Sequence, residues 1–222
     1  MKYRWTTVLF DLDGTLTDPG EGITNSVAHA LRRFGLPVPP RPQLYKFIGP
    51  PLADSFQQYY GLSSEQARQG IAFYREYFRD RGIFENTVYQ GIPALLAALK
   101  DAGCTVVMAT SKPELFAQRI ADHFGLTQYF DCIAGASMDE TRVRKADVIE
   151  YALDRIGLQD RDAAVMVGDR EHDVLGARQA GLRTIGVLYG YGSRAELEQA
   201  GAAAIAADVP SLRALLLPDE TE

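Results

Sequence analysis

Four aspartates in two pairs carry the chemistry that can be read from this chain. Asp11-Leu12-Asp13-Gly14-Thr15 follows directly on the apolar run Val8-Leu9-Phe10. On an extended segment, carboxylates at i and i+2 point the same way. They repel each other unless a cation lies beside them, and hard oxygen donors of this kind suit Mg²⁺. A solvated turn would use the same residue types, since Asp and Gly are common after strands. What sets this pair apart is a second one, Asp169 and Asp173 in Gly168-Asp169-Arg170-Glu171-His172-Asp173, placed after the apolar run Val165-Met166-Val167.

A third stretch, Thr110-Ser111-Lys112-Pro113, follows the apolar segment Cys104–Ala109. Ser111-Lys112-Pro113-Glu114 predicts a capping box with proline in the first helical turn. Thr110 and Ser111 would then stand at a helix N-terminus, where free N–H groups and the helix dipole favour an anion. Ser111 reads first as a cap, and a capping side chain is compatible with a backbone that cradles phosphate. Three or four carboxylates opposite an anion cradle call for a divalent metal between them.

The elements that must position these groups are legible from periodicity. Thr6–Phe10, Cys104–Ala109, Cys132–Gly135, Ala164–Val167, Thr184–Leu188 and a weaker Ala203–Ala206 read as strands. Amphipathic helices lie between them: one opening at Pro93 and ending before Gly103, one carrying Leu115, Ile120 and Phe124, then Lys145–Ile156 and Val174–Ala180. Ser193 with Glu196 predicts a further capping box. Strands alternating with helices mean an α/β fold with a parallel sheet covered on both faces. Residues 20–85 break the alternation. They hold helix patterns over Gly22–Phe34 and Ser63–Asp80, the latter opened by Ser63 and Gln66, with proline-rich breaks at Leu36–Pro42 and Gly49-Pro50-Pro51. The division expected is a core of residues 1–17 and 88–222 and a helical insert of residues 18–87. Ligands of open parallel sheets bind beyond the carboxyl ends of the strands, so such an insert would overhang the site as a cap.

Composition narrows the partners. The chain has 222 residues and a formal net charge of −6, which speaks against a nucleic-acid polymer or a membrane surface as partner. Cys104 and Cys132 read as small buried hydrophobes rather than a disulfide framework. No apolar stretch is long enough to span a bilayer and the first residues lack a signal-peptide layout. A cytoplasmic protein, monomer or homodimer, is expected.

Together the motifs resemble those of the haloacid dehalogenase-like superfamily of phosphatases, over essentially the full chain. Asp11–Leu16 is similar to its first motif, Thr110-Ser111-Lys112 to the second, Lys145 to the third, and Gly168-Asp169-x-x-x-Asp173 to the fourth. The resemblance implies a three-layer Rossmann-like core with a small α-helical cap inserted after the first strand. It implies that Asp11 attacks phosphorus to form an aspartyl-phosphate, and that Asp13 protonates the leaving alcohol and then deprotonates water. Mg²⁺ would be held by Asp11, the backbone carbonyl of Asp13 and Asp169, with Asp173 either ligating directly or orienting the shell. Thr110, the Ser111 N–H and Lys145 would hold the phosphoryl oxygens. Where many relatives have a proline after the third-motif lysine, this chain has Ala146; Arg142 or Arg144 could supply the charge instead. Lys112 is either part of the second motif or a solvent-facing residue of the first helical turn.

A second aspartate at position 13 separates the chain from dehalogenases. Asp13-Gly14-Thr15-Leu16 resembles phosphatases more than β-phosphoglucomutase-like enzymes. Phe47–Leu52, Glu85–Ile92, Lys145–Ile149 and Gly186–Gly192 resemble a branch labelled 5′-nucleotidase-like or phosphoglycolate-phosphatase-like. The function expected is a Mg²⁺-dependent phosphatase acting on a small phosphate monoester. The alternatives are a β-phosphoglucomutase-like phosphotransferase and a catalytically idle phosphate- or metal-binding regulator. Substrate choice should live in the cap, where Lys46 and Arg81 could meet a carboxylate, or Tyr45, Phe47, Phe56 and Tyr59 could stack on a base.

Overall fold

A computed structural model describes residues 5–139 and 141–217. Residues 1–4 and 218–222, at the ends of the expected core, and Glu140 lie outside the described residues. The chain divides into two compact units: the described residues through Thr17 and from Val88 onward, and Asp18–Thr87.

The first unit is built on β1 (Thr7–Phe10), a tetrapeptide buried at every position. Burial on both faces of a strand requires helices on both sides of the sheet. The chain leaves through β2 (Thr17–Asp18) and returns through β3 (Thr87–Val88), which pair as a two-stranded sheet. In the second unit, α1 (Gly20–Arg33), α2 (Leu52–Tyr60) and α3 (Ser64–Tyr77) follow in order, with a 3₁₀ turn at Arg41–Phe47. Ser63 caps α3 in the expected box, its hydroxyl accepting from Gln66 N–H while the Gln66 side chain accepts from Ser63 N–H. Pro50 and Pro51 stop one segment, and α2 starts immediately after them, a helix the sequence reading left out.

The core unit continues with α4 (Ile92–Asp101), β4 (Thr105–Pro113), α5 (Glu114–His123), β5 (Cys132–Ala136), α6 (Lys145–Ile156), β6 (Ala164–Gly168), α7 (Glu171–Gln179), β7 (Arg183–Val187), α8 (Arg194–Ala200), β8 (Ala204–Ala206) and α9 (Val209–Leu216). The six-stranded sheet has the order β5-β4-β1-β6-β7-β8 and every pairing is parallel. This is the α/β class expected, and β1 sits in the interior of the sheet between β4 and β6. Side chains alternate across it. Leu9, Val107, Ala109 and Met166 join Val148, Ile149, Ala152 and Leu153 of α6 in one buried cluster.

One local expectation is overturned. Ser111 does not cap a helix: β4 runs on to Pro113, and α5 begins at Glu114 with Pro113 at its N-cap and no side-chain cap. Proline disfavours helical backbone in the residue before it, which keeps Lys112 extended, and Pro113 pairs with Ala136 across a register shift after Thr110. At Ser193 only half of the expected box forms. The hydroxyl accepts from Glu196 N–H, while the Glu196 carboxylate accepts from Arg170 Nε–H and Glu171 N–H.

Leu9 is fully buried within the cluster. Leu9→Ala is expected to cost about 2–5 kcal/mol of unfolding free energy, measured by equilibrium denaturation. A change under about 1 kcal/mol would contradict its place in the core.

Candidate functional site

The carboxyl ends of β1, β4 and β6 deliver the predicted groups to one place. Asp11 continues β1, its N–H donating to Val167 O at 2.9 Å. The chain then folds back on itself. Leu12 O accepts from Thr15, Leu16 and Thr17 N–H, and Gly14 N–H donates to Thr17 O at 2.7 Å. Gly14 has φ +81°, and a Cβ there would lie 2.2 Å from Asp169 Oδ2. Glycine therefore serves both the turn and the close approach of the second carboxylate.

Lys145, the first residue of α6, is buried, and its Nζ donates to Asp11 Oδ1 at 2.7 Å and Ala109 O at 2.9 Å. Asp173 Oδ1 lies 2.7 Å from the same nitrogen. Three acceptors match the three hydrogens of an ammonium. Burial alone would lower the Lys145 pKa; the Asp11 and Asp173 carboxylates reverse that and hold it above its ordinary value. Asp173 does a second job on α7, its Oδ2 accepting from Arg170 N–H at 3.1 Å. Asp169 is fully buried, with Oδ2 accepting from Tyr191 N–H at 2.7 Å and Oδ1 within 3.5 Å of the Thr15 hydroxyl.

Asp11, Asp169 and Asp173 each offer an oxygen, and these atoms lie within 4.8 Å of one another. All three are buried. The Asp13 carboxyl is outside this cluster, with Oδ2 2.8 Å from Lys112 Nζ. With all four aspartates ionised, two lysines would leave two negative charges unbalanced, which is the charge of one divalent cation. An all-oxygen donor set of this size and sign fits such an ion. Burial raises Asp169 well above the ordinary aspartate value, aided by the charges of Asp173 and Asp11. Asp173 and Asp13 are raised by burial as well, against the opposing charges of Lys145 and Lys112 respectively.

Thr110 is buried at the β4 end and its hydroxyl accepts from Lys112 N–H at 3.2 Å. Ser111 follows it, half-buried in extended chain rather than at a helix start. Arg142 is engaged elsewhere: it donates to Gly135 O and lies over the Tyr151 ring. In the helical unit, Phe47 and Phe56 are buried against each other at 5.3 Å between ring centres, so neither is a base platform. Tyr59 packs on Phe47 and lies under the Lys46 ammonium.

Sequence reasoning underrated Lys112 and read the glycines of Gly186–Gly192 only as resemblance, without a packing role. A Cβ on Gly190 would lie 2.5 Å from the Asp169 side chain, and one on Gly192 would lie 1.8 Å from Asp169 O. Tyr189 donates from its hydroxyl to Thr15 O at 3.1 Å, and burial pushes its phenol pKa up. The signal was the clustering of Gly190-Tyr191-Gly192 just after β7.

The family model for haloacid dehalogenase-like hydrolases matches residues 8–187. The chain is 47% identical over 213 residues to a 5′-nucleotidase of Pseudomonas aeruginosa, covering 96% of each. It is 46% identical over 186 residues to the tyrosine-protein kinase PtkA of Mycobacterium tuberculosis, covering 83% of this chain and 62% of that longer protein. A crystal structure of a predicted phosphatase from Clostridium acetobutylicum superimposes with a TM-score of 0.91 at 49% identity, covering 96% of this chain and 97% of that one.

Two outcomes follow from this geometry. Gly192→Ala forces the Gly192 loop or Asp169 to shift and is expected to lower activity on the order of 10²-fold, since a misplacement of about 1 Å at a site has that effect; unchanged turnover would contradict the packing. Asp13, Asp169 and Asp173 bind protons more tightly in the folded chain than the ordinary aspartate at 3.8. In cation-free buffer, their contribution to stability therefore falls as pH rises from about 4 through the raised values. Carboxylates with lowered values, such as Asp131 held by Lys100 against its partial burial, finish titrating below that window. The melting temperature in EDTA is expected to fall as pH rises above the ordinary aspartate value of 3.8 and through those raised values, and Mg²⁺ is expected to restore it at the upper end. Melting indifferent to Mg²⁺ there would count against a cation site.

Proposed function

The chain belongs to the haloacid dehalogenase-like hydrolases, and from that premise we propose that it hydrolyses a small phosphate monoester through a phosphoryl group carried on Asp11. Its enzyme class is phosphoric monoester hydrolase. The substrate we favour is a 5′-nucleotide, as the name of the Pseudomonas relative states for that protein, with phosphoglycolate as the other candidate from motif resemblance.

The observation that carries this reading is the different company kept by two neighbouring carboxylates. Asp11 lies with Lys145 and the acidic cluster, while Asp13 is set apart beside Lys112. The Asp11 carboxylate attacks phosphorus, and the bond from phosphorus to the ester oxygen breaks as Asp13 gives that oxygen a proton. Water then attacks phosphorus and loses a proton to Asp13, and the Asp11–phosphorus bond breaks to release phosphate. Burial raises the proton affinity of Asp13 against the opposing Lys112 charge, which suits it to giving and taking a proton. Lys145 keeps the nucleophile oriented and balances charge, and Thr110 with the Ser111 N–H receives phosphoryl oxygens. Mg²⁺ would be held by the Asp11 and Asp169 carboxylates and the Asp13 carbonyl, with Asp173 steadying that shell through Lys145. When bound, the ion supplies positive charge that offsets repulsion between the phosphoryl oxygens and the carboxylates. These groups recognise phosphate and cation alone and do not by themselves choose among esters.

A second acceptor is possible in chemistry of this kind, because the same intermediate can pass phosphate to a hydroxyl instead of water. The mycobacterial relative named as a tyrosine-protein kinase makes that distinction worth measuring. Wild-type protein and Asp11→Asn are compared on nucleoside monophosphates, phosphoglycolate and sugar phosphates, with and without EDTA. Free phosphate from the wild type, background release from Asp11→Asn, and loss in EDTA restored by Mg²⁺ are expected. Near-native turnover by Asp11→Asn would sink the mechanism. Phosphate appearing on an added sugar or tyrosine rather than in solution would favour transfer over hydrolysis.

A further inference from the structure

Lys112 is the second buried lysine of the site, and no step above uses it. Its Nζ lies 2.8 Å from Asp13 Oδ2, with both side chains largely removed from solvent. The lysine reaches that place because β4 runs past Thr110. The Thr110 hydroxyl accepts from Lys112 N–H, and Pro113 holds Lys112 in extended backbone. A Cβ on Gly135 of β5 would lie 2.6 Å from Lys112 O, so the neighbouring strand leaves this backbone little room to shift. The lysine is therefore set in a rigid frame.

The two oxygens of Asp13 differ. Oδ2 faces the ammonium, whereas Oδ1 is buried and has no hydrogen-bond partner. A buried carboxyl oxygen without a partner is costly until a donor or acceptor reaches it. The backbone on either side is also fixed, by the Gly14–Thr17 hydrogen bond and by the bonds to Leu12 O. With Oδ2 anchored, rotation of the carboxyl is restricted, and one oxygen is left for proton exchange.

We propose that Lys112 is a positioning residue for proton transfer. It anchors Asp13 through Oδ2, so that Oδ1 gives a proton to the departing ester oxygen and later takes one from the attacking water. The inference rests on the phosphatase reading and on Asp13 as its acid–base. A lysine acting through charge alone would be replaced adequately by arginine. A positioning lysine would not, because the guanidinium is larger and planar and displaces the carboxyl it meets.

The test uses two esters that differ in their need for a proton. A nucleoside 5′-monophosphate has a poor alkoxide leaving group; p-nitrophenyl phosphate has a good one and needs little acid assistance. Release of the leaving group in the first turnover, nucleoside or p-nitrophenol, is followed for wild type, Lys112→Met and Lys112→Arg, each checked for native melting. This reads the ester-cleaving step alone, before the hydrolysis that both esters share. Both variants are expected to lose about 10²-fold on the nucleotide and under about 10-fold on the nitrophenyl ester, with KM nearly unchanged. Equal losses on the two esters, or full rescue by arginine, would overturn the proposal and leave Lys112 a structural or purely electrostatic role. If Lys112→Met fails to fold, the Lys112→Arg comparison decides alone. A wild type that cleaves neither ester would fail the phosphatase reading itself, an outcome separate from the two above.

Discussion

Lys145 gives its three hydrogens to Asp11, to Asp173 and to the Ala109 carbonyl. That single ammonium lets two buried carboxylates, Asp11 after β1 and Asp173 on α7, stand close together. Burying an unpaired charge costs several kcal/mol, so the arrangement is tenable only with compensation. Lys112 compensates Asp13 in the same way. What remains is a net deficit of two positive charges, concentrated on Asp11, Asp169 and Asp173. That deficit is of the size and sign that a small divalent cation would offset.

The sheet and the loops beyond it are organised to hold that charge still. Parallel pairing of β1 with both β4 and β6 brings the three strand ends side by side. Close packing then removes side chains where the carboxylates need room. Gly14 and Gly190 press on the Asp169 carboxylate, Gly168 on Asp173, and Gly176 on the Lys145 stem. Tyr189 ties the β7 loop to the Thr15 carbonyl, and Tyr191 N–H holds one oxygen of Asp169. Positions that carry no reactive group thus set the geometry of those that do.

Much of this was legible in the residues. Strand–helix alternation placed the parallel sheet, and α6 spans Lys145–Ile156 as its periodicity indicated. Each acidic pair was found by its place after an apolar run. Other features depend on tertiary contacts that local patterns do not encode. Ser111-Lys112-Pro113-Glu114 carries every local sign of a helix start, yet pairing with β5 prolongs the strand and takes Lys112 to Asp13. Phe47 and Phe56, which could have stacked on a base, are core of the helical unit, as aromatics at such spacing more often are. The glycines around Asp169 are ordinary loop residues until the carboxylate they pack against is in place.

The division of labour between Asp11 and Asp13 is the central claim, and chemical trapping addresses it directly. An enzyme quenched in acid during turnover and reduced with borohydride converts an acyl phosphate on aspartate into homoserine, which peptide mass spectrometry locates. Homoserine at position 11, with Asp13 unmodified, is the result predicted. Modification at position 13, or sustained turnover with no modified aspartate, would contradict it.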